Sequence, residues 1–440
     1  MRKIVLLVAA LVAFVGCGVQ IIKRPIPPDE CVQIILDKHK DILAGATIGI
    51  SIRDMEGKEI YGYNANKRMV PASNLKLITT GAALHRLGPE YTFKTKIGYS
   101  GTIRDGVLYG DLYIIGGGDP TIGANDSAAF PVDSVFFKWY HLLKEAGITN
   151  IEGQVIGDGR AWEGPIESPD WAVGDLSMYY GAGSSALCFN KNAIDVDGLK
   201  EHMISNKTGE QTCARAFRNY LVGKGFEAGG PVGYIGPDGR VELFGEPAQT
   251  LTILGEVESP TLMSIACETL YESDNFYAEA IFRAMAEEAT GKADYNTATA
   301  VLNDVLKELG LDPSEARIVD GSGLSRRNMV SPAFLTQFLC KMQSSSAYSD
   351  LAYIIPYSGH TLPQMRSELG GYFHIKSGSM SGVFCYSGYH MSSMCTSIWS
   401  PYPTATVSIM INGSTAAKEE LFEPMGELIA TIYYIIHTSR

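Results

Sequence analysis

The sequence predicts an α+β fold: an antiparallel sheet assembled from both chain ends, a helical region packed on it, and a long β-rich insertion splitting the domain. Three observations predict it. Strand-like segments at 47–53 and 59–63 flank an Asp54-Met55-Glu56-Gly57 turn, and three more, at 372–376, 383–389 and 404–411, come late in the chain. Helical patterns at 261–271, 276–289 and 296–309 lie between these groups. From 93 to 258 the texture changes to short strands punctuated by turn signals such as Asp105-Gly106 and Asp238-Gly239.

Taken in order, a helix is expected over 30–43, then the two strands, then a helix over 71–87 with Leu77, Leu84 and Leu87 among its apolar positions. The insertion offers strands at 93–99, 107–115, 153–156, 193–196, 241–244 and 250–254, and one helix at 131–146. It reads as one or two small β-rich modules. Ser259-Pro260 supplies an N-cap and a first-turn proline where helices resume. An apolar helix is expected over 418–436. The split domain therefore comprises 31–92 and 259–440, with 93–258 inserted. At 440 residues, 45% hydrophobic and 19% charged, the chain has material for two or three domains and a large core.

Charge excludes one class of function. The net charge is −12 and no basic block or stripe occurs, so nucleic acid is not a partner. The first residues read as a targeting segment. Arg2 and Lys3 precede an apolar run over 4–15, too short to span a bilayer and the right length for a signal peptide. The run ends Gly16-Cys17, like a bacterial lipoprotein cleavage box, which makes Cys17 a lipid-attachment residue. An ordinary cleaved signal peptide is the alternative. Residues 18–30, with Pro25, Pro27 and Pro28, form a linker. The expected location is the periplasm or cell envelope, with membrane contact only through that anchor. Of eight cysteines, removing Cys17 leaves an odd number, so at least one thiol stays free. No C-x-x-C or H-E-x-x-H appears, and no metal or cofactor is expected. His374 reads as a structural histidine.

Three short motifs carry chemistry. Ser73-Asn74-Leu75-Lys76 is an S-x-x-K at an expected helix start. Positions i and i+3 share a helix face, which sets the Lys76 amine beside the Ser73 hydroxyl. A serine hydroxyl is a weak nucleophile until a base takes its proton, and a buried lysine with a lowered pKa is such a base. Ser273-Asp274-Asn275 falls in a break between two helices. Its hydroxyl can relay protons and its amide can hold a carbonyl. Lys376-Ser377-Gly378-Ser379 ends a strand-like run. A lysine and a hydroxyl there suit a substrate carboxylate, and Gly378 would let an extended ligand approach the strand. Alone, each has a plainer reading: a helix cap, a capping triplet, an edge-strand turn. Together, in order, each on the element its chemistry requires, they form one signature.

That signature resembles the penicillin-binding proteins and class A β-lactamases. The gap of about 200 residues between Ser73 and Ser273, read as a long insertion, resembles the class C low-molecular-mass penicillin-binding proteins, the DD-carboxypeptidase/endopeptidase family. Further similar segments are Gly116-Gly117-Gly118-Asp119-Pro120-Thr121, Asp320-Gly321-Ser322-Gly323-Leu324-Ser325-Arg326 and Gly378-Ser379-Met380-Ser381-Gly382. The Gly116-Gly117-Gly118 run reads as a turn rather than a phosphate cradle, since no G-K-[ST] follows. The resemblance implies a penicillin-binding/β-lactamase-like transpeptidase domain. It implies that Ser73 is acylated and Lys76 is its base. Ser273 and Lys376 would pass a proton to the leaving amine, and Asn275 would orient the substrate amide. Ser377 stands where threonine is commoner and keeps the hydroxyl. The N–H groups of Ser73 and Ser379 would form the oxyanion hole. The implied substrates are D-alanyl-D-X bonds in peptidoglycan stem peptides or cross-links, with β-lactams as covalent inhibitors.

Two enzymes and a scaffold compete with this reading. A β-lactamase needs a water-activating glutamate, and none of Glu279, Glu287, Glu288, Glu308, Glu315 or Glu368 lies in an E-x-x-L-N context. An esterase would use the same Ser–Lys pair. A non-catalytic peptidoglycan-binding envelope protein would not need the five polar side chains intact.

Overall fold

The computed structural model describes residues 26–198, 203–248, 250–357, 369, 371–392 and 402–438. Cys17 with the targeting segment, Glu368 and Cys395 lie outside the described residues. The elements around the central sheet are, in chain order, α1 (Pro28–Lys38), β1 (Thr47–Asp54), β2 (Glu59–Tyr63), α2 (Leu75–Leu87), α3 (Leu262–Tyr271), α4 (Asn275–Thr290), α5 (Tyr295–Glu308), α6 (Pro332–Lys341), α7 (Tyr348–Ile354), β3 (Phe373–Met380), β4 (Val383–Met391), β5 (Pro403–Asn412) and α8 (Phe422–Thr438). The five strands form one antiparallel sheet in the order β3-β4-β5-β1-β2. The last strand pairs with the first, Thr47 facing Asn412, so the two chain ends close a single sheet around everything between them.

Both faces of this sheet are covered. On one face, α1 and α8 pack Val32, Ile35, Leu428 and Ile432 against Ile50, Ile52, Val407 and Ile409. On the other lies the helical core, which joins α2 to α7. This is why β4 is buried along its whole length. Ten consecutive residues of α2, Leu75 to Leu84, are buried, as expected of a helix enclosed on all sides. Its buried threonines are satisfied by backbone carbonyls: Thr80 Oγ1 donates to the Lys76 carbonyl at 2.6 Å and Thr79 Oγ1 to the distant Gly321 carbonyl at 2.6 Å.

The insertion carries a six-stranded mixed sheet in the order 241–242, 232–235, 155–158, 112–115, 94–99, 252–258, and a four-stranded sheet in the order 227–228, 150–151, 107–109, 102–104. One apolar cluster runs through both, uniting Ile97, Leu112 and Val155 with Leu108, Ile151 and Ala228. The helices Val132–Glu145 and Gly209–Gly223 close it with Trp139 and Phe217, whose rings meet edge to face at 5.2 Å. A second part of the insertion joins the helical core instead, through Trp162, Ala182, Ala186 and Cys188.

Several expectations need correction. The run at 107–115 is two strands, Val107–Tyr109 and Leu112–Ile115, in different sheets; the chain turns between them at Gly110. The helices Gly209–Gly223, Pro332–Lys341 and Tyr348–Ile354 were not anticipated. Eight of the ten residues of α6 are buried, so it has no polar face to mark a helical period. Its start signal was nevertheless present: Ser331 Oγ accepts from Phe334 N at 3.1 Å, ahead of Pro332. The described cysteines Cys31, Cys188, Cys213, Cys267, Cys340 and Cys385 are all free thiols. Among the described residues, no helix is long and apolar enough to cross a membrane.

Candidate active site

Ser73 sits on a 3-10 turn, Ala72–Asn74, that leads directly into α2. One helical turn on, the Lys76 side chain is buried at 0% exposure and its amine donates three hydrogen bonds. These go to Ser73 Oγ at 2.8 Å, Asn275 Oδ1 at 2.7 Å and the Ser322 carbonyl at 2.9 Å. An ammonium has three protons, so this set saturates it and fixes its direction. Burial lowers the Lys76 pKa to about 8, against the opposing fields of Asp274, Glu279 and Asp320.

Asn275 is the first residue of α4, and Asp274 is its N-cap, with Oδ1 accepting from Tyr277 N at 2.9 Å. The capping role of the triplet and the contact with Lys76 thus coexist. Asn275 Nδ2 donates to the Tyr180 carbonyl of the insertion at 2.9 Å, which leaves Oδ1 for the lysine. Ser273, between α3 and α4, has φ of 59°, a left-handed conformation uncommon outside glycine. Among the described residues its hydroxyl takes no hydrogen-bond partner, so it is not bonded directly to Ser73 or Lys76.

β3 brings in the third motif. Lys376 is buried, and Nζ donates to the Ser377 carbonyl at 2.9 Å. Burial, and then the charges of Lys76 and Lys418, hold its pKa well below the ordinary lysine value. The two amines differ because, among the described residues, Lys76 faces three carboxylates whereas Glu272 alone offsets the burial of Lys376. Ser377 is half-buried and Ser379 exposed, on opposite sides of buried Gly378. Gly378 is explained differently from the expectation. A Cβ there would lie 2.8 Å from Asn74 N and 2.9 Å from Ser73 N, so the glycine admits the Ser73 turn against β3.

The 320–325 stretch reads from sequence as a structural loop near the site, but how Glu279 anchors that loop behind Lys76 was not foreseen. Glu279, one turn beyond Asn275 on α4, is buried and accepts from Gly321 N at 3.0 Å and Ser322 N at 2.7 Å. It thereby holds the Ser322 carbonyl against the lysine. Burial, and then Asp320, raise its pKa to about 8. Asp320 accepts from Gly323 N, Ser325 N, Trp171 Nε1 and Asn328 Nδ2 at 2.7–3.0 Å. The readable signal was the i, i+4 spacing of Asn275 and Glu279. The Gly116-Gly117-Gly118 run is packed against protein rather than open to a ligand, with the Ala186 carbonyl and the Trp162 ring in the way. His374 Nδ1 lies 3.4 Å from the Ala352 carbonyl, a structural contact.

A set of potential metal ligands exists elsewhere. His39, Glu423 and Glu427 converge beside α8, but both carboxylates already pair with Lys38.

The family described as D-Ala-D-Ala carboxypeptidase 3 (S13) matches residues 32–217 and 233–431. The chain belongs to that family. This makes it an enzyme of the D-Ala-D-Ala carboxypeptidase class. It is similar to a D-alanyl-D-alanine carboxypeptidase of Actinomadura sp. (strain R39), 26% identical over 79% of this chain and 76% of the relative. It is also similar to the D-alanyl-D-alanine carboxypeptidase DacB of Haemophilus influenzae, 22% identical over 81% of this chain and 84% of the relative. The crystal structure of penicillin binding protein 4 (dacB) from Haemophilus influenzae has the same fold, with a TM-score of 0.74 at 20% identity. It covers 91% of this chain and 99% of that one. That protein has also been solved complexed with a β-lactam. The family member described here thus has the split penicillin-binding fold with extra sheets.

Proposed function

We infer that Ser73 is the acylated nucleophile of a DD-peptidase and that Lys76 is the base that activates it. The observation that carries this is the 2.8 Å hydrogen bond from Lys76 Nζ to Ser73 Oγ, at an amine that burial brings to about 8. Near neutral pH a substantial minority of molecules then hold the free amine, which can take the Ser73 proton as Oγ attacks. The attacked bond is D-alanyl-D-X of a peptidoglycan stem peptide or cross-link. The oxyanion is received by the N–H groups of Ser73 and Ser379, which flank the close turn–strand contact at Gly378. Asn275, held by Tyr180 and Lys76, presents its amide to the substrate. Ser273 and Lys376 return a proton to the leaving amine, and Ser377 binds the substrate carboxylate. Water then releases the acyl group from Ser73. A strained β-lactam amide acylates the same oxygen. Glu279 does not serve as a water activator, because backbone amides occupy its carboxylate.

The catalytic unit in this reading is 31–92 with 259–440, and 93–258 is the insertion. Family membership supports a place of work in the cell envelope. The basic start, apolar run and Gly16-Cys17 support export to the periplasm with a lipid on Cys17. The test is to incubate wild type and Ser73→Ala with fluorescent penicillin and with purified cross-linked muropeptides, identifying products by mass. Wild type should take one label and release D-alanine or split cross-links, and Ser73→Ala should do neither. A labelled Ser73→Ala protein, or an inert wild type, overturns the reading.

A further inference from the structure

We propose that Lys191, from the insertion, is a positioning residue of the active site: it clamps Asp274 and so holds Ser273 and Asn275 in register with Lys76. This rests on the site reading above and extends it. Asp274 lies between those two residues and uses both carboxylate oxygens. Oδ1 caps α4, and Oδ2 accepts from Lys191 Nζ at 2.8 Å. Lys191 is itself gripped. Its ammonium lies 2.7 Å from Asp126 Oδ2 and 4.7 Å from the centroid of the Tyr277 ring. The Tyr277 hydroxyl donates to Asp126 Oδ2 at 2.8 Å, which closes a ring of four residues drawn from the insertion and α4.

The backbone beneath Lys191 is costly to build. Asn190, Lys191 and Asn192 have φ of 49°, 52° and 47°, three successive left-handed residues without a glycine. The strain is locked in place: Asn190 N donates to the Ile122 carbonyl at 2.9 Å, and Asn192 Nδ2 to the Gly183 carbonyl at 2.9 Å. An ion pair that merely tied two segments together would not need this knuckle, nor end on the residue between Ser273 and Asn275. The Tyr180 carbonyl on Asn275 Nδ2 is a second contact from the insertion to the same motif. Ser273, also left-handed, lies just outside the helix that Asp274 caps and Asn275 begins, and the clamp adds a hold on that junction from the insertion.

The clamp also sets charge. The groups facing the Lys76 amine are Asp274 and Glu279 on α4, Asp320 in the loop after α5, and Lys376 on β3. Those facing Lys191 are Asp126, Asp274 and, on α3, Glu268. Asp274 favours the charged form of Lys76, and Lys191 offsets Asp274. Removing Lys191 therefore tightens the hold of Lys76 on its proton, an effect that a purely structural role lacks.

The experiment measures acylation rates with fluorescent penicillin from about pH 6 to about pH 10 for wild type and three variants. Lys191→Met should acylate roughly tenfold or more slowly. Its rising limb should move up by roughly half a pH unit or more. Lys191→Arg should recover both, and Asp126→Asn, which removes a negative charge, should move the limb down. A Lys191→Met protein with the wild-type limb sinks the proposal, whatever its rate. If that variant does not fold, an unmoved limb in Asp126→Asn does the same. Wild type that takes no label sinks the reading of the site and the clamp with it, whereas labelling of wild type with unmoved limbs sinks the clamp alone.

Discussion

Gly378→Ala tests whether β3 positions Ser73 for its proposed attack. The added methyl would sit 2.8 Å from Asn74 N, 2.9 Å from Ser73 N and 2.9 Å from the Pro71 carbonyl oxygen, where ordinary contact begins at 3.4 Å. The deficit is about 0.5 Å, and every atom in the way is backbone. Neither side yields cheaply. β3 is laddered to buried β4, with Gly378 opposite Cys385, and the turn runs straight into the enclosed helix α2. The added bulk should cost about 1–3 kcal/mol of stability, which a fold of this size survives. The larger effect falls on geometry. A misplacement of about 1 Å costs about a hundredfold in rate, so half that distance at Ser73 should slow acylation by about tenfold or more. The assay is the rate of fluorescent-penicillin labelling, with a circular-dichroism melt to establish that the variant is folded. A folded Gly378→Ala protein that acylates at the wild-type rate would refute the claim that this contact sets the position of Ser73.

The pH dependence of wild-type acylation follows from Lys76. Below its pKa of about 8 the amine is protonated and cannot accept the Ser73 proton, so the rate should climb through that region and level off above it; a flat profile would remove Lys76 as base. Arg283, fully buried on α4, donates to the Ala293 carbonyl at 2.6 Å and to the Ser184 carbonyl, and stacks over Trp162 at 5.0 Å. Arg283→Ala leaves those carbonyls unpaired beside a cavity, and the melting temperature should fall by about 5 °C or more; an unchanged melt would show that the strut is dispensable.

The strands at the two chain ends were legible because each alternates or runs apolar between clear turns, and 59–63 matches the observed strand end to end. The helices α3, α4 and α5 were legible as helical runs, but the expected cap of α3 was wrong: Thr261 rather than Ser259 caps it, and Ser259 Oγ instead accepts from Phe93 N at 3.0 Å. Helix α6 was not, since it is only ten residues long and eight of them are buried, too short a run to show its period. The split at Gly110 was hidden for a related reason: one apolar run served two sheets. Helical spacing alone put the Lys76 amine beside the Ser73 hydroxyl, and the two lie 2.8 Å apart. Tyr180 could not be found, because it acts through its carbonyl, which no side-chain pattern reports. Lys191 was equally invisible, since its importance lies in where a strained turn aims it.

The chain alone shows the chemistry on offer. Three motifs in order supply a candidate nucleophile, two amines and an amide, and local spacing was enough to put Ser73 beside Lys76. How that amine is tuned and aimed depends on packing between distant parts of the chain. Its burial, its bond to Asn275 nearly 200 residues away, and its bond to the Ser322 carbonyl backed by Glu279 are all long-range contacts. They depend on how the helices and the insertion pack around α2, and a pKa responds to that surrounding field and dielectric rather than to neighbours in the chain.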